Sequence, residues 1–263
     1  MSNRCNAKAN MWGMGVLFAV AAPAVSAEPL EEHPLSTEKR TAMRESFEKK
    51  IAQMSKAIEE KPDSVDLHSS RGDANFFLAR FKEAVADYEK MVELNPDLET
   101  SHWRRGIACF YSDRPKDAAR QFEIYHTFDD VDRENGIWRY FSQHRAFGRE
   151  KAREGLLKYR KDDREPFPAV YQLFAGKTTP DAILTEIGKA EISPDEREKR
   201  LFYAQLYIGL NSAIDDKPEA ARKALREAVK NEWGPVAGYG PTYMWHVGRV
   251  HYDLLRAKAE AAR

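Results

Sequence analysis

A repeat of 34 positions constrains the fold of this chain more than any other feature of its sequence. Gly72 and Gly106 are separated by that interval, and each is followed by an alanine twelve positions later and an aromatic residue four positions after that. The same shift aligns His68 with His102, Phe77 with Tyr111, and Pro62 with Pro96. Such a repeat predicts stacked helical hairpins, because one hairpin cannot bury its apolar face alone.

Each repeated residue type has a physical task in such a stack. Glycine removes a side chain where two helices cross closely, and the alanine on the second helix has the same effect. The aromatic residue, one helical turn further on, fills the gap between neighbouring hairpins. Pro96 cannot continue a helix and therefore predicts the end of a second helix. The predicted packing residues are Gly72, Ala84, Tyr88, Gly106, Ala118, Phe122 and, in a third unit, Ala152.

This order of glycine, alanine, aromatic residue and proline resembles the tetratricopeptide repeat (TPR). The resemblance implies an all-α fold, a TPR-type helical-hairpin solenoid with degenerate central units and a closing C-terminal helix. No run of alternating apolar residues predicts a strand. Ala221, Leu225 and Ala228 repeat the spacing of a second helix. The predicted segments are an opening helix at 37–61, two clear TPR units at 62–131, degenerate units at 132–232, and a Gly/Pro/aromatic loop with the closing helix at 233–263.

The first 27 residues have the composition of a secretory signal peptide. Basic residues precede an apolar stretch at 11–24, and Val25-Ser26-Ala27 offers the small residues that signal peptidase reads. We expect cleavage before Glu28 and a flexible lead at 28–36, with a retained anchor as the alternative. The apolar stretch is shorter than the roughly 20 residues that cross a bilayer, so no membrane span is expected after cleavage. The protein is therefore expected to be periplasmic or extracellular.

Charge and cysteine content argue against several functions. Lys plus Arg and Asp plus Glu number 42 each, so the chain has no bulk electrostatic reason to bind nucleic acid. Cleavage would leave Cys109 as the single cysteine, which excludes an internal disulfide. Cys109 falls on a first-helix position that packs inside a TPR, and buried cysteines are usually inert. We therefore expect no nucleophilic catalysis at this residue.

No other pattern predicts a catalytic residue, a cofactor or a bound metal. His68 and His102 repeat with the unit and are expected to be partly buried core residues. His246 and His251 are five positions apart, which does not place them on one helix face. The acidic stretch 130–136 resembles a calcium loop only faintly, because Phe141 stands where the bidentate glutamate belongs. It is better interpreted as a turn that caps the following helix.

In a TPR array the first helix of each hairpin lines the concave face, which is the predicted protein-binding surface. Its aromatic residues would suit an apolar or extended peptide, because rings offer large contact area at low entropic cost. The alternative is packing against a neighbouring helix or a second copy of the chain. Ser69 and Asp73 replace the Lys and Asn that clamp a peptide carboxylate in some TPRs, so that mode is not expected. The predicted residues are Ser69, Asp73, Phe76, Thr100, Trp103, Ile107, Phe110, Ile137, Phe141 and His144.

The loop 231–241 combines glycines and prolines with Trp233 and Tyr239. We expect a rigid turn whose aromatic side chains cap the last hydrophobic layer. A loop that carries function is the alternative.

A second resemblance covers three stretches: HWRRGIACFYSDRPKDAARQFEIYH, then DVDRENGIWRYFSQ, then LFYAQLYIG with PEAARKALREAVKN. These stretches and their order resemble the NlpI family of bacterial envelope TPR proteins. The resemblance implies a non-catalytic adaptor that dimerises, binds an envelope processing protease and gathers peptidoglycan hydrolases to it. The chain differs from that family because it has no lipid-acceptor cysteine at the cleavage point and a longer last hairpin at 211–216.

We therefore predict an exported, non-catalytic TPR adaptor that binds other proteins or peptides. An envelope protease or a cell-wall hydrolase is the expected class of partner. Two alternatives stay open: a self-associating structural homodimer, and a small-ligand binder or enzyme that uses the region 165–240. A deep polar pocket in that region would favour the ligand binder, whereas a continuous shallow groove would favour the adaptor.

Overall fold

The computed structural model describes residues 30–161 and 163–263, so the predicted signal peptide at 1–27 lies outside the described residues. Within the described ranges the regular structure is helical and no β-strand occurs. The helices are α1 (Thr37–Glu60), α2 (Val65–Phe77), α3 (Phe81–Leu94), α4 (Trp103–Tyr111), α5 (Pro115–Phe128), α6 (Arg133–Phe147), α7 (Arg149–Glu154), α8 (Phe167–Phe174), α9 (Pro180–Lys189), α10 (Pro194–Ile214), α11 (Pro218–Lys230) and α12 (Tyr239–Ala261). Helices that follow one another in sequence pack on one another, which confirms an all-α, solenoid-like fold.

The repeated glycines make room for the repeated aromatic residues. A Cβ atom on Gly72 in α2 would lie 2.7 Å from the ring of Tyr88 in α3. A Cβ atom on Gly106 in α4 would lie 2.6 Å from the ring of Phe122 in α5. Each aromatic residue therefore packs directly on the glycine of its own hairpin, a closer relationship than the predicted filling between neighbouring hairpins. Ala84, Ala118 and Ala152 are fully buried, in keeping with their predicted packing role.

The hairpin of α10 and α11 repeats this arrangement further along the chain. A Cβ atom on Gly209 would lie 2.6 Å from Cγ of Leu225. Gly209 precedes Ala221 and Leu225 by the same intervals that separate Gly72 from its alanine and aromatic partners. The second helix of this hairpin was predicted but its glycine was not, because leucine stands in the place of the aromatic residue.

Local capping explains where several helices begin. The Thr179 side chain accepts a hydrogen bond from the Ala182 N–H at the start of α9. The Ser193 side chain accepts one from the Glu196 N–H at the start of α10. Such caps satisfy backbone donors that have no partner within the helix.

Helix α12 covers the face of α2 and α4 that was predicted to be concave. The ring of Tyr243 stacks on Phe76, with centroids 5.3 Å apart, and meets Trp103 edge-on at 4.9 Å. Arg249 donates a hydrogen bond of 2.5 Å to the carbonyl of Phe77. The closing helix is therefore part of the hydrophobic core and packs against this face.

The described part of the N-terminal lead also packs on α12. His33 Nε2 lies 2.8 Å from Asp253 Oδ1, and Leu35 is buried. In the part of the chain that the structure describes, none of the helices is both long enough and apolar enough to cross a membrane.

Candidate functional site

A cavity of about 350 Å³ lies between α4, α6, α10 and the N-terminal part of α12. Volumes of roughly 300–1,000 Å³ are usual for sites that bind small ligands or single groups. Gly240, Pro241 and Met244 of α12 form one boundary of the cavity. The cavity is therefore the part of the groove that the closing helix leaves open.

Aromatic rings form a large part of the cavity wall: Trp103, Tyr125, Trp138, Tyr203 and Trp233. Trp138 lies nearly parallel to Phe122, with ring centroids 6.2 Å apart. Trp233 packs on Phe202 at 6.0 Å and on Tyr203 at 5.9 Å. Because neighbouring rings fix these side chains, little conformational entropy remains to be lost when a ligand binds.

Charged groups form the other part of the wall and centre on Arg164. Its Nη2 lies 2.6 Å from Glu134 Oε2, and its Nη1 lies 3.1 Å from Asp163 Oδ1 and 3.5 Å from Asp132 Oδ1. The guanidinium also lies over the ring of Phe167, 4.3 Å from the centroid. One cation is thus held by three carboxylates and an aromatic face.

The start of α6 determines where these carboxylates point. Asp132 accepts a hydrogen bond of 2.9 Å from the Glu134 N–H and caps the helix. This places Glu134 in the first turn, where the hydroxyl of Tyr207 in α10 donates to its Oε1. The predicted acidic turn therefore caps the helix and also brings a glutamate into the cavity.

The ionisation of Glu134 is shifted by its surroundings. Burial raises the pKa of its carboxyl to about 7, Arg164 opposes this shift, and Asp132 adds to it. Burial likewise raises the pKa of Asp132, and Arg164 again opposes the shift. Glu134 can therefore gain or lose a proton near neutral pH.

Among the predicted concave residues, Trp103 and Ile107 line the cavity. Ser69 and Asp73 instead hold Arg104, whose Nη1 lies 2.9 Å from Ser69 Oγ and 2.6 Å from Asp73 Oδ1. Asp73 also accepts a hydrogen bond of 2.7 Å from the hydroxyl of Tyr239 in α12. This polar cluster ties α2 and α4 to the closing helix.

The remaining predicted concave residues lie elsewhere in the fold. Phe76, Phe110, Ile137 and Phe141 are buried within the chain. Phe110 meets Trp138 at 5.6 Å, and Phe141 meets Phe174 at 5.3 Å. For these four residues the structure has the packing that the sequence analysis gave as the alternative. Thr100 is exposed, and His144 is partly buried beside Asp215.

Sequence reasoning did not assign Glu134, Arg164, Lys199 and Tyr203 to a site. They come from α6, from the segment before α8 and from α10, and no local pattern joins residues so far apart. Trp233 was expected to cap the last hydrophobic layer. It packs in that way on Phe202 and Tyr203 and also lines the cavity.

Neither protein-family models nor curated proteins give a match to this chain. The function is therefore inferred from the cavity and the side chains around it.

Proposed function

We propose that this protein is an exported, non-catalytic TPR adaptor that binds partner proteins through the cavity beside Trp103. The observation that supports this most is the incomplete filling of the groove. Helix α12 covers α2 and α4, yet it leaves a space of about 350 Å³ walled by Trp103, Trp138 and Trp233. Buried pockets with aromatic walls are the places where protein interfaces concentrate their binding energy.

The packing of α12 supports recognition of a polypeptide. Tyr243 already inserts its ring between Phe76 and Trp103, so this face of the helical array accommodates side chains from another helix. Only one or two partner side chains would fit the remaining space. The adaptor would therefore anchor its partner by a short projecting segment and leave most of the partner outside the groove.

The location and class of partner follow from the sequence. The predicted signal peptide supports export, and the resemblance to envelope TPR proteins supports an envelope protease or a peptidoglycan hydrolase as partner. The Gly–Ala–aromatic spacing supports a TPR origin for the hairpins that contact Trp103.

In-cell photocrosslinking tests this proposal. A photoreactive phenylalanine at position 103 should give discrete crosslinked species that mass spectrometry identifies as the same partner in repeated experiments. The matched control is the same residue at Lys223, which is exposed on α11 and does not line the cavity. Identical products at both positions, or no product at position 103, would contradict the proposed binding surface.

A small-ligand binder is the second candidate, and one observation favours it. Glu134 lies on the cavity wall between Tyr207 and Arg164, and burial raises its pKa to about 7. A carboxyl with such a pKa can act as a general acid or base at neutral pH. Thermal-shift screening with envelope metabolites separates the two candidates, because an adaptor should show no stabilisation by any of them.

A further inference from the structure

We infer that the cavity selects a cationic side chain, that of lysine or arginine, presented by a partner polypeptide. This inference rests on the proposed binding function and adds the chemistry of the group that is bound. Charge, aromatic lining and an unsatisfied donor each support it.

Carboxylates outnumber cations in the immediate surroundings of Arg164. Those of Asp132, Glu134 and Asp163 lie within 3.5 Å of its guanidinium, and Asp132 and Glu134 also line the cavity. Lys199 also lines the cavity, where its Nζ lies 3.0 Å from Glu196 Oε2, and Arg200 Nε lies 2.8 Å from the other oxygen of the same carboxylate. A second cation would offset charge that Arg164 alone leaves uncompensated, and partial burial strengthens such interactions.

The aromatic wall is also suited to a cation. The guanidinium of Arg164 lies 4.3 Å from the ring centroid of Phe167 and 5.7 Å from that of Tyr203, so rings at this end of the cavity already hold one. Trp103, Trp138 and Trp233 also line the open space. Tryptophan gives the strongest cation–π attraction among the aromatic side chains.

An unsatisfied donor on the wall points to a polypeptide as the carrier of this cation. Trp138 lines the cavity and is 1% exposed, and its indole N–H has no acceptor in hydrogen-bond geometry. Burial raises the pKa of the neighbouring Tyr207 well above its usual range, and the Trp138 N–H weakly opposes this, so the two groups are close without a well-formed hydrogen bond. A backbone carbonyl of a bound segment would supply the missing acceptor.

The test is a titration of the purified chain with three blocked heptapeptides of alanine and glycine that differ only in a central lysine, norleucine or glutamate. Calorimetry gives the affinities, and tryptophan fluorescence reports on the cavity. We expect the lysine peptide to bind about tenfold more tightly than the norleucine peptide and the glutamate peptide to bind most weakly. Equal affinities for lysine and norleucine, or no binding of the lysine peptide at about 5 mM, would overturn the inference.

Two variants assign the preference to named side chains. Glu134→Gln keeps the shape and one acceptor oxygen but removes a charge, and should abolish most of the lysine preference. Trp233→Leu keeps an apolar wall and should weaken the lysine peptide about threefold or more without weakening the norleucine peptide. Glu150→Gln, exposed on α7, is the matched control and should change nothing.

The same variants separate failure of this inference from failure of the proposed function. In one outcome, Glu134→Gln captures its partner at position 103 as well as the unmodified chain does, and the peptides show no lysine preference. The inferred selection of a cation would then be wrong, and the proposed adaptor function would stand. If the chain with glutamate at position 134 captures no partner at position 103, the proposed adaptor function is wrong.

Discussion

The hydroxyl groups of Tyr88 and Tyr243 lie 3.2 Å apart, although 155 positions separate them in the sequence. Tyr88 also donates a hydrogen bond of 2.7 Å to Asp73 Oδ1. An aromatic residue of the repeat thus contacts the closing helix through its hydroxyl while its ring packs on Gly72. Helix α12 is held by the same residues that hold the first hairpin together.

Removing the Tyr243 ring should destabilise the fold strongly. Tyr243 is 1% exposed and meets Phe76, Phe77 and Trp103. We expect Tyr243→Ala to lower the free energy of unfolding by about 3–5 kcal/mol, and Tyr243→Phe by about 1 kcal/mol. Urea denaturation measures both changes. Leu254→Ala, at an exposed position of the same helix, is the control, and equal effects at the two positions would show that α12 is not part of the core.

Substitution of the repeat glycine should also be destabilising. An alanine Cβ at position 106 would lie 2.6 Å from the Phe122 ring, so Gly106→Ala should cost about 1–3 kcal/mol. Gly188 in α9 has no neighbouring atom within 4 Å, and Gly188→Ala should stabilise the helix by about 0.5–1 kcal/mol. Thermal unfolding of the pair should therefore shift in opposite directions. A neutral Gly106→Ala would contradict the observed packing.

Binding of the lysine peptide should depend on pH. Burial raises the pKa of Glu134 to about 7, and a bound cation favours the ionised carboxylate. Below pH 7 the Glu134 carboxyl carries a proton that must leave when the peptide binds. The affinity for the lysine peptide should therefore rise about tenfold from pH 6 to pH 8, a range in which the lysine stays charged. Calorimetry at several pH values measures this.

The control for this pH dependence must separate Glu134 from the other titratable groups around it. Helix α4 contributes Trp103 and Ile107, and α12 contributes Gly240, Pro241 and Met244, none of which titrates. The charged or titratable neighbours are Tyr125, Asp132, Asp163, Arg164, Lys199, Tyr203 and Tyr207. Glu134→Gln should flatten the profile, and an unchanged profile in that variant would assign the proton to another of these groups.

Buried histidine should make the fold sensitive to acid. Burial and, to a smaller extent, the nearby charge of Arg145 lower the pKa of His251 to about 4. The folded state therefore keeps this ring neutral, and the stability present above the unfolded pKa of about 6.5 is lost as the pH falls toward 4. The loss is on the order of 3 kcal/mol at most. His251→Gln, which can still bond to the Tyr111 hydroxyl, should show a flatter decline in urea denaturation between pH 6.5 and 4. A slope equal to that of the unmodified protein would contradict this assignment.

Cys109 should be unreactive in the folded protein. It is 3% exposed, and burial raises the pKa of its thiol to about 11, so little of the reactive thiolate is present at neutral pH. In a chain lacking residues 1–27 it is the single cysteine. A chromogenic disulfide reagent should label it only after denaturation. Rapid labelling under native conditions would show that α4 opens readily.

The sequence predicted the hairpins because their packing is local. Gly106 and Phe122 belong to adjacent helices of one hairpin, so a fixed interval records their contact. Gly209 and Leu225 obey the same interval and could have been found with a broader pattern. The position of α12 could not be predicted in this way. Periodicity shows that Phe76 faces inward, but it does not show that Tyr243 is the residue that covers it.

Only Trp103 and Ile107 of the candidate site were predicted as protein-binding residues, and the alternative of a ligand binder indicated the region 165–240 without naming residues in it. Arg164 and Glu134 meet because a segment without repeat character returns to the start of α6, and each residue alone looks like an ordinary surface charge. A turn at 130–136 that caps the following helix was predicted from the sequence, and the structure identifies Asp132 as its capping residue. The same turn also places Glu134 beside Tyr207. That contact depends on the position of α10, which the local sequence pattern does not predict.

The closing helix also has a consequence for how the protein is made. Helix α12 follows in chain order every helix that it covers, so Phe76, Phe77 and Trp103 leave the ribosome and cross any export channel well before Tyr243 does. During that interval the unfilled groove exposes a continuous apolar surface of the kind that recruits chaperones and promotes aggregation. Completion of the fold is therefore tied to completion of synthesis, and products that stop before Tyr239 should be degraded rather than retained as shorter arrays.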